Sequence, residues 1–262
     1  MIRRLVYLTF VWLLFGCSDQ DSEPVGHDID YALTWNTDQV DFDSSGFSLT
    51  SNLGVTLDIR VAYLVLYSTQ LVACENDSSS VLSKLYNWFM PSIAHAGHGG
   101  ENRDPSAMLI PTVENLVRAE KIELGSLYVA DRVYCQIHYL VGRAEDNAQF
   151  LPEDFDLVGT SLYLEGSWSY EPDEAPTEFI IDTSTAYGAL KSLYPSGSYG
   201  DDSRVYELDV NNSGASVVIE RSLSGMFDDV DWREMNATAV ERKVLSNIIE
   251  QVSITVTPTG SR

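Results

Sequence analysis

Positive charge is what this chain has least of. Its 262 residues carry 16 Lys and Arg against 39 Asp and Glu, a formal net charge of −23. That shortage excludes nucleic acid as a ligand, because neutralising phosphates takes clustered bases. It equally excludes docking on anionic lipid through a polybasic surface. Only three cysteines occur (Cys17, Cys74 and Cys135), with no CxxC spacing among them. GxSxG, HExxH and phosphate-binding loops are all missing. A Ser/His/Asp set could be assembled by hand from many residues and so carries no information. The chain is therefore not expected to be an enzyme. No internal repeat is present, and the acidic groups match neither an EF-hand nor an RTX repeat.

Long apolar runs are also few. Leu5 to Phe15 is too short to span a bilayer and has the length of a secretory h-region behind Arg3 and Arg4. Leu14-Phe15-Gly16-Cys17 then resembles the bacterial lipobox, in which cleavage precedes a cysteine that takes lipid. The expectation is a lipoprotein signal peptide over 1–16, a lipidated Cys17 and a flexible polar tether over 17–28, with the folded domain over 29–262. The alternative is a plain signal peptide with a chance cysteine. Ser18 follows the cysteine, and in enterobacterial-type sorting that implies the bacterial outer membrane, on its periplasmic or its surface face. Several acyl chains hold a protein to a membrane firmly, where one would not. With Cys17 lipidated, Cys74 and Cys135 form an even pair in an oxidising compartment, which favours a disulfide. Two thiolate ligands for a soft metal are the rival reading.

What the chain does have is aromatic and turn residues: 14 Tyr, 9 Phe, 17 Gly and 9 Pro. These lean toward strands and turns. Strands are expected over 30–35, 47–51, 60–73, 122–128, 133–141, 161–167, 178–181, 205–210, 216–221 and 252–257. In 133–141, Cys135, Ile137, Tyr139 and Val141 share one face, and Tyr134, Gln136, His138 and Leu140 the other. Helical spacing marks 78–90 and 237–251, the latter through Val240, Val244, Leu245, Ile248 and Ile249. The fold class is mostly β: a single antiparallel β-sandwich, immunoglobulin/transthyretin-like, with one or two amphipathic helices. Residues 182–203 read as a long loop.

The four histidines are His27, His95, His98 and His138. His95 and His98 sit in a Gly-rich stretch at His-x-x-His spacing, which lets both imidazoles reach one ion. Imidazole suits Cu(II), Zn and Ni, and the surrounding acids concentrate cations. The plain alternative is a solvated loop with incidental histidines. His138 points off the apolar face of its strand, as a third ligand or as an ordinary surface residue, and His27 lies in the tether. Glu153/Asp154/Asp156, Glu171/Asp173/Glu174, Asp201/Asp202 and Asp228/Asp229/Asp231 read as solvated acidic surface, with a single Ca²⁺ at Asp201–Asp202 as the alternative. A second functional class is an interaction module that binds an envelope protein or glycan through Tyr187, Tyr194 and Tyr199.

Several stretches together resemble a loosely defined group of bacterial lipoproteins. They are 61–74 (VAYLVLYSTQLVAC), 95–98 (HAGH), 122–127 (IELGSL), Tyr134-Cys135, 157–166 (LVGTSLYLEG) and 226–245, where Phe227 to Asp231 lead into a helix. Such chains are distantly similar to the periplasmic copper-binding partners of di-haem, peroxidase-like proteins, the methanobactin-associated type. The resemblance implies a β-sandwich and copper binding without turnover. It also implies a di-haem protein or a metal-uptake receptor as partner. In that family a tryptophan can be oxidatively modified to build the copper site. Trp35, Trp88, Trp168 and Trp232 follow the signal segment here, and none is assigned that role.

Overall fold

The structure is a computed structural model that describes residues 26–73, 107–130, 134–170, 175–195 and 214–259. The signal segment, the expected helix over 78–90 and the expected strand over 205–210 lie outside the described residues.

Fourteen strands are described: β1 (Gly26–Asn36), β2 (Val40–Phe42), β3 (Phe47–Thr50), β4 (Thr56–Ala73), β5 (Ala107–Met108), β6 (Thr112–Asn115), β7 (Ile122–Ala130), β8 (Tyr134–Val141), β9 (Leu162–Ser169), β10 (Thr177–Thr183), β11 (Tyr187–Ser192), β12 (Tyr194–Pro195), β13 (Gly214–Ser222) and β14 (Ser253–Pro258). One helix, α1 (Ala237–Glu250), precedes β14. The fold is mostly β, as expected. A five-stranded sheet orders as β12-β14-β13-β1-β7, and the other nine strands form a second sheet. One apolar core joins the two sheets: Ile29, Leu33, Val217 and Ile219 come from the first, and Leu57, Leu64, Ile137 and Leu164 from the second. Fully burying each such side chain contributes roughly 1.5–3 kcal/mol.

β4 is the spine of the larger sheet. Its inward residues are Leu57 and Ile59, then Ala62, Leu64 and Leu66, then Thr69 and Leu71. Strict alternation cannot give that series. The ladder slips between Ile59 and Val61 against β9, and between Leu66 and Ser68 against β8. Each bulge resets which face the following residues occupy. β9 lies along the first half of β4 and β8 along the second, so β8 and β9 form one interrupted strand. β10 and β11 continue outside them as an interrupted edge. Residues 142–161 leave the ladder between β8 and β9 and pack on the sheet's outer face, where Ala144, Ala148 and Leu157 cluster with Val65 and Val113.

Four expectations change. The strand pairs are not all antiparallel: β1 with β13 and β12 with β14 run parallel. Residues 182–203 are not one loop, because β10 extends to Thr183 and β11 and β12 follow. Alternation is weak there because the edge faces water on most sides, and residues 184–188 are all exposed. The tether assigned to 17–28 is shortened, since β1 begins at Gly26 and buries His27 against the sheet. Tyr134, assigned to the polar face of β8, is buried, where the ladder slips again between Val72 and Ala73.

Helix α1 starts where the sequence places it. Asn236 caps it, its side chain accepting from the Ala239 N–H at 3.0 Å. Val240, Val244, Leu245, Ile248 and Ile249 are buried against the core. Asn247 Nδ2 donates to the backbone oxygens of Met226 (3.2 Å) and Asp228 (2.7 Å), fastening the helix to the turn before it. Replacing Asn236 with Ala should lower stability by about 1 kcal/mol in urea unfolding, the usual loss for such a cap. No change would mean that packing alone holds the helix start.

Candidate functional site

Of the expected metal ligands, only His138 is among the described residues. Cys17, Cys74, His95, His98, Tyr199, the Glu171/Asp173/Glu174 group and the Asp201/Asp202 pair lie outside them. Cys135 sits in β8, one residue after Tyr134, which pairs with Ala73 at the end of β4. Among the described residues no three or more His, Cys, Asp or Glu gather as a metal site would require.

His138 lies on the outer face of the larger sheet and is half-buried. It pairs laterally with Gln70 on β4 and Leu190 on β11. Gln70 in turn pairs with Ala107 on β5. Ala107, Gln70, His138 and Leu190 therefore form one cross-strand row. A side chain added at Gly188 would meet Leu140 Cδ1 at 3.0 Å and His138 Nε2 at 3.4 Å, so the glycine leaves room for the imidazole. Burial holds the His138 pKa below its ordinary value. Its imidazole is neutral at neutral pH, the form that binds metals.

The acidic group at Asp228/Asp229/Asp231 is occupied with holding turns. Asp231 accepts from the Tyr170 hydroxyl at 2.9 Å and from the backbone N–H of Arg233 at 3.0 Å. Those bonds lower its pKa, the Tyr170 bond most. Asp229 accepts from Asn52 Nδ2 at 2.9 Å, and its N–H donates back to Asn52 at 2.8 Å. Trp168 and Trp232 stack at 6.1 Å on the rim of the core, with Phe179 4.5 Å from Trp232. Tyr187 is exposed on the edge strand.

The strongest electrostatic feature escaped the sequence reading. Arg221 on β13 is 0% exposed and Glu114 on β6 is 2% exposed, and they form a two-pronged ion pair between the sheets. Trp35 Nε1 on β1 donates to Glu114 at 3.1 Å. Arg221 donates to the Tyr139 hydroxyl on β8 at 3.0 Å, and its guanidinium lies 4.3 Å from the centre of the Trp35 ring. Burial pushes the Tyr139 pKa up to about 12, against the pull of Arg221. Burial alone would lower the pKa of Arg221, but Glu114 and Tyr139 more than offset that and raise it. A signal existed in the alternation of β13. Ala215, Val217 and Ile219 face inward, and Arg221 is next in that register. The cluster is closed to water, so it offers a ligand no entry.

Comparison with protein-family models, curated protein sequences and solved structures found no match to this chain.

Proposed function

We propose that this chain is a lipid-anchored envelope protein that captures a transition metal, copper first as the sequence resemblance implies, and passes it to a partner. The partner classes are a di-haem protein or a metal-uptake receptor, with the membrane held through Cys17. One observation supports the reading most: the row that holds His138 also holds Ala107, the residue after the 74–106 stretch that bears His95 and His98. Strands lie near 4.8 Å apart, so Ala107 is about 10 Å from His138 across β4. His98 precedes Ala107 by nine residues, and nine residues reach at most about 30 Å. Three imidazoles can therefore meet at one ion without stretching the chain, and His138 supplies its share already neutral.

The test is metal analysis of the protein taken from its own envelope, followed by titration with Cu(II), Cu(I) and Zn(II). Copper is expected at about one ion per chain. The double variant His95→Ala/His98→Ala should abolish binding with an unchanged melting temperature, and His138→Ala should weaken it. Unchanged affinity in the double variant would remove the site.

A further inference from the structure

Residues 142–161 interrupt a strand that could have run unbroken along β4, so closing the sheet does not require them. The excursion instead builds a small platform on the outer face. Phe155 packs between Tyr63 (5.7 Å) and Tyr163 (4.5 Å). The platform is clamped to the loop before β6: the Gln149 N–H donates to Pro111 O at 2.8 Å, and the Val113 N–H to Gln149 O at 2.9 Å. Phe150 follows that clamp and is 63% exposed, while Leu109 and Ile110 flank it on the other loop at 50% and 48%. Phe150 also holds φ at +60°, the left-handed region. A bulky side chain is disfavoured there, and glycine or asparagine is the usual occupant. Neither stability nor solubility favours a phenylalanine in that position. The excursion that bears it carries Glu145, Asp146, Glu153, Asp154 and Asp156 against Arg143 alone.

We propose that Leu109, Ile110 and Phe150 form a docking knuckle for another protein, one that presents an apolar pocket rimmed by Lys or Arg. Interfaces draw most of their affinity from a few central anchors, and the charged rim selects the partner and speeds encounter. The acidic rim disfavours anionic headgroups. It also disfavours a second copy of this chain, which brings the same −23 charge. No residue of the knuckle belongs to the metal proposal, so the two stand or fall separately.

The test places p-benzoylphenylalanine at position 150 of the full chain, in the cells that make it, and irradiates them. One dominant protein adduct is expected, its crosslinked peptide lying in a Lys- or Arg-bearing surface. That protein is then purified and titrated against this chain. Phe150→Ser and Ile110→Ser should each weaken binding by about tenfold. Added salt should weaken it further. Ile180→Ser, equally exposed on β10, should leave it unchanged. Phe150→Gly should lose affinity yet raise the melting temperature, because it releases the left-handed strain. Lipid adducts or scattered ones, salt-insensitive affinity, or an equal loss in the Ile180 variant would each overturn the proposal.

Discussion

Replacing Glu114 with Leu should cost about 3–5 kcal/mol of folding stability, because it strands a cation where water does not reach. The loss is a large fraction of the roughly 5–15 kcal/mol that holds an ordinary domain together. Glu114 supplies both prongs of the pair and also accepts from Trp35, so its removal leaves Arg221 and the indole N–H of Trp35 short of an acceptor. Arg221 cannot readily escape by losing its proton, since a guanidinium stays protonated in proteins. Arg221→Met should cost less than Glu114→Leu, because a buried carboxylate can pick up a proton and an arginine cannot readily release one. The double variant Glu114→Leu/Arg221→Met should recover most of the loss, since a well-packed apolar pair often matches a buried ion pair. Urea unfolding of the four proteins closes a double-mutant cycle. Small and additive losses would show that the pair contributes nothing to holding the sheets together. Tyr139, with its pKa near 12, stays protonated through the neutral range, so the cluster should keep its bonds up to strongly alkaline pH.

That cluster shows where reading the chain alone succeeds and where it stops. The expected strands over 122–128, 133–141, 161–167 and 216–221 agree with β7, β8, β9 and β13 to within a few residues. Local alternation and turn residues specify them, and both are visible without a partner strand. Helix α1 was legible for the same reason, through the spacing of its apolar stripe. β2, β5 and β6 were not, because strands of two to four residues are too short to show a period. The parallel pairing of β1 with β13 joins residues far apart in the chain, and nothing local encodes it. The Glu114–Arg221 pair is non-local too, its partners 107 positions apart in the chain. Of the candidate metal site, the outward placement of His138 was readable from parity. Its lateral row with Gln70 and Ala107 depends on a register that two bulges alter. His27 misled because His27 and Asp28, at the edge of a polar stretch, look alike whether or not a strand takes them up.

If Cys74 and Cys135 form the proposed disulfide, removing it should cost about 4 kcal/mol, from a closed loop of about 60 residues on the chain-entropy model. The proposed bond rests on the even cysteine pair left once Cys17 carries lipid. Ala73 pairs with Tyr134 across β4 and β8, and each cysteine is the next residue in sequence. β4 and β8 run antiparallel, so the two cysteines follow that pair in opposite chain directions, and a bond between them requires the chain after Ala73 to turn back toward β8. An oxidising compartment, as the signal segment leads one to expect, favours a bond over two free thiols. The protein isolated from its own compartment should show neither thiol free until reductant is added. Reduction, or Cys135→Ser, should then shift the urea midpoint by the amount above. Under the metal proposal it should also weaken copper binding, with neither cysteine acting as a ligand. Two thiols that react without reductant, and release bound metal as they do, would instead support the rival assignment of Cys74 and Cys135 as thiolate ligands to a soft metal. The two outcomes separate cleanly, because a disulfide sulfur cannot serve as a thiolate ligand.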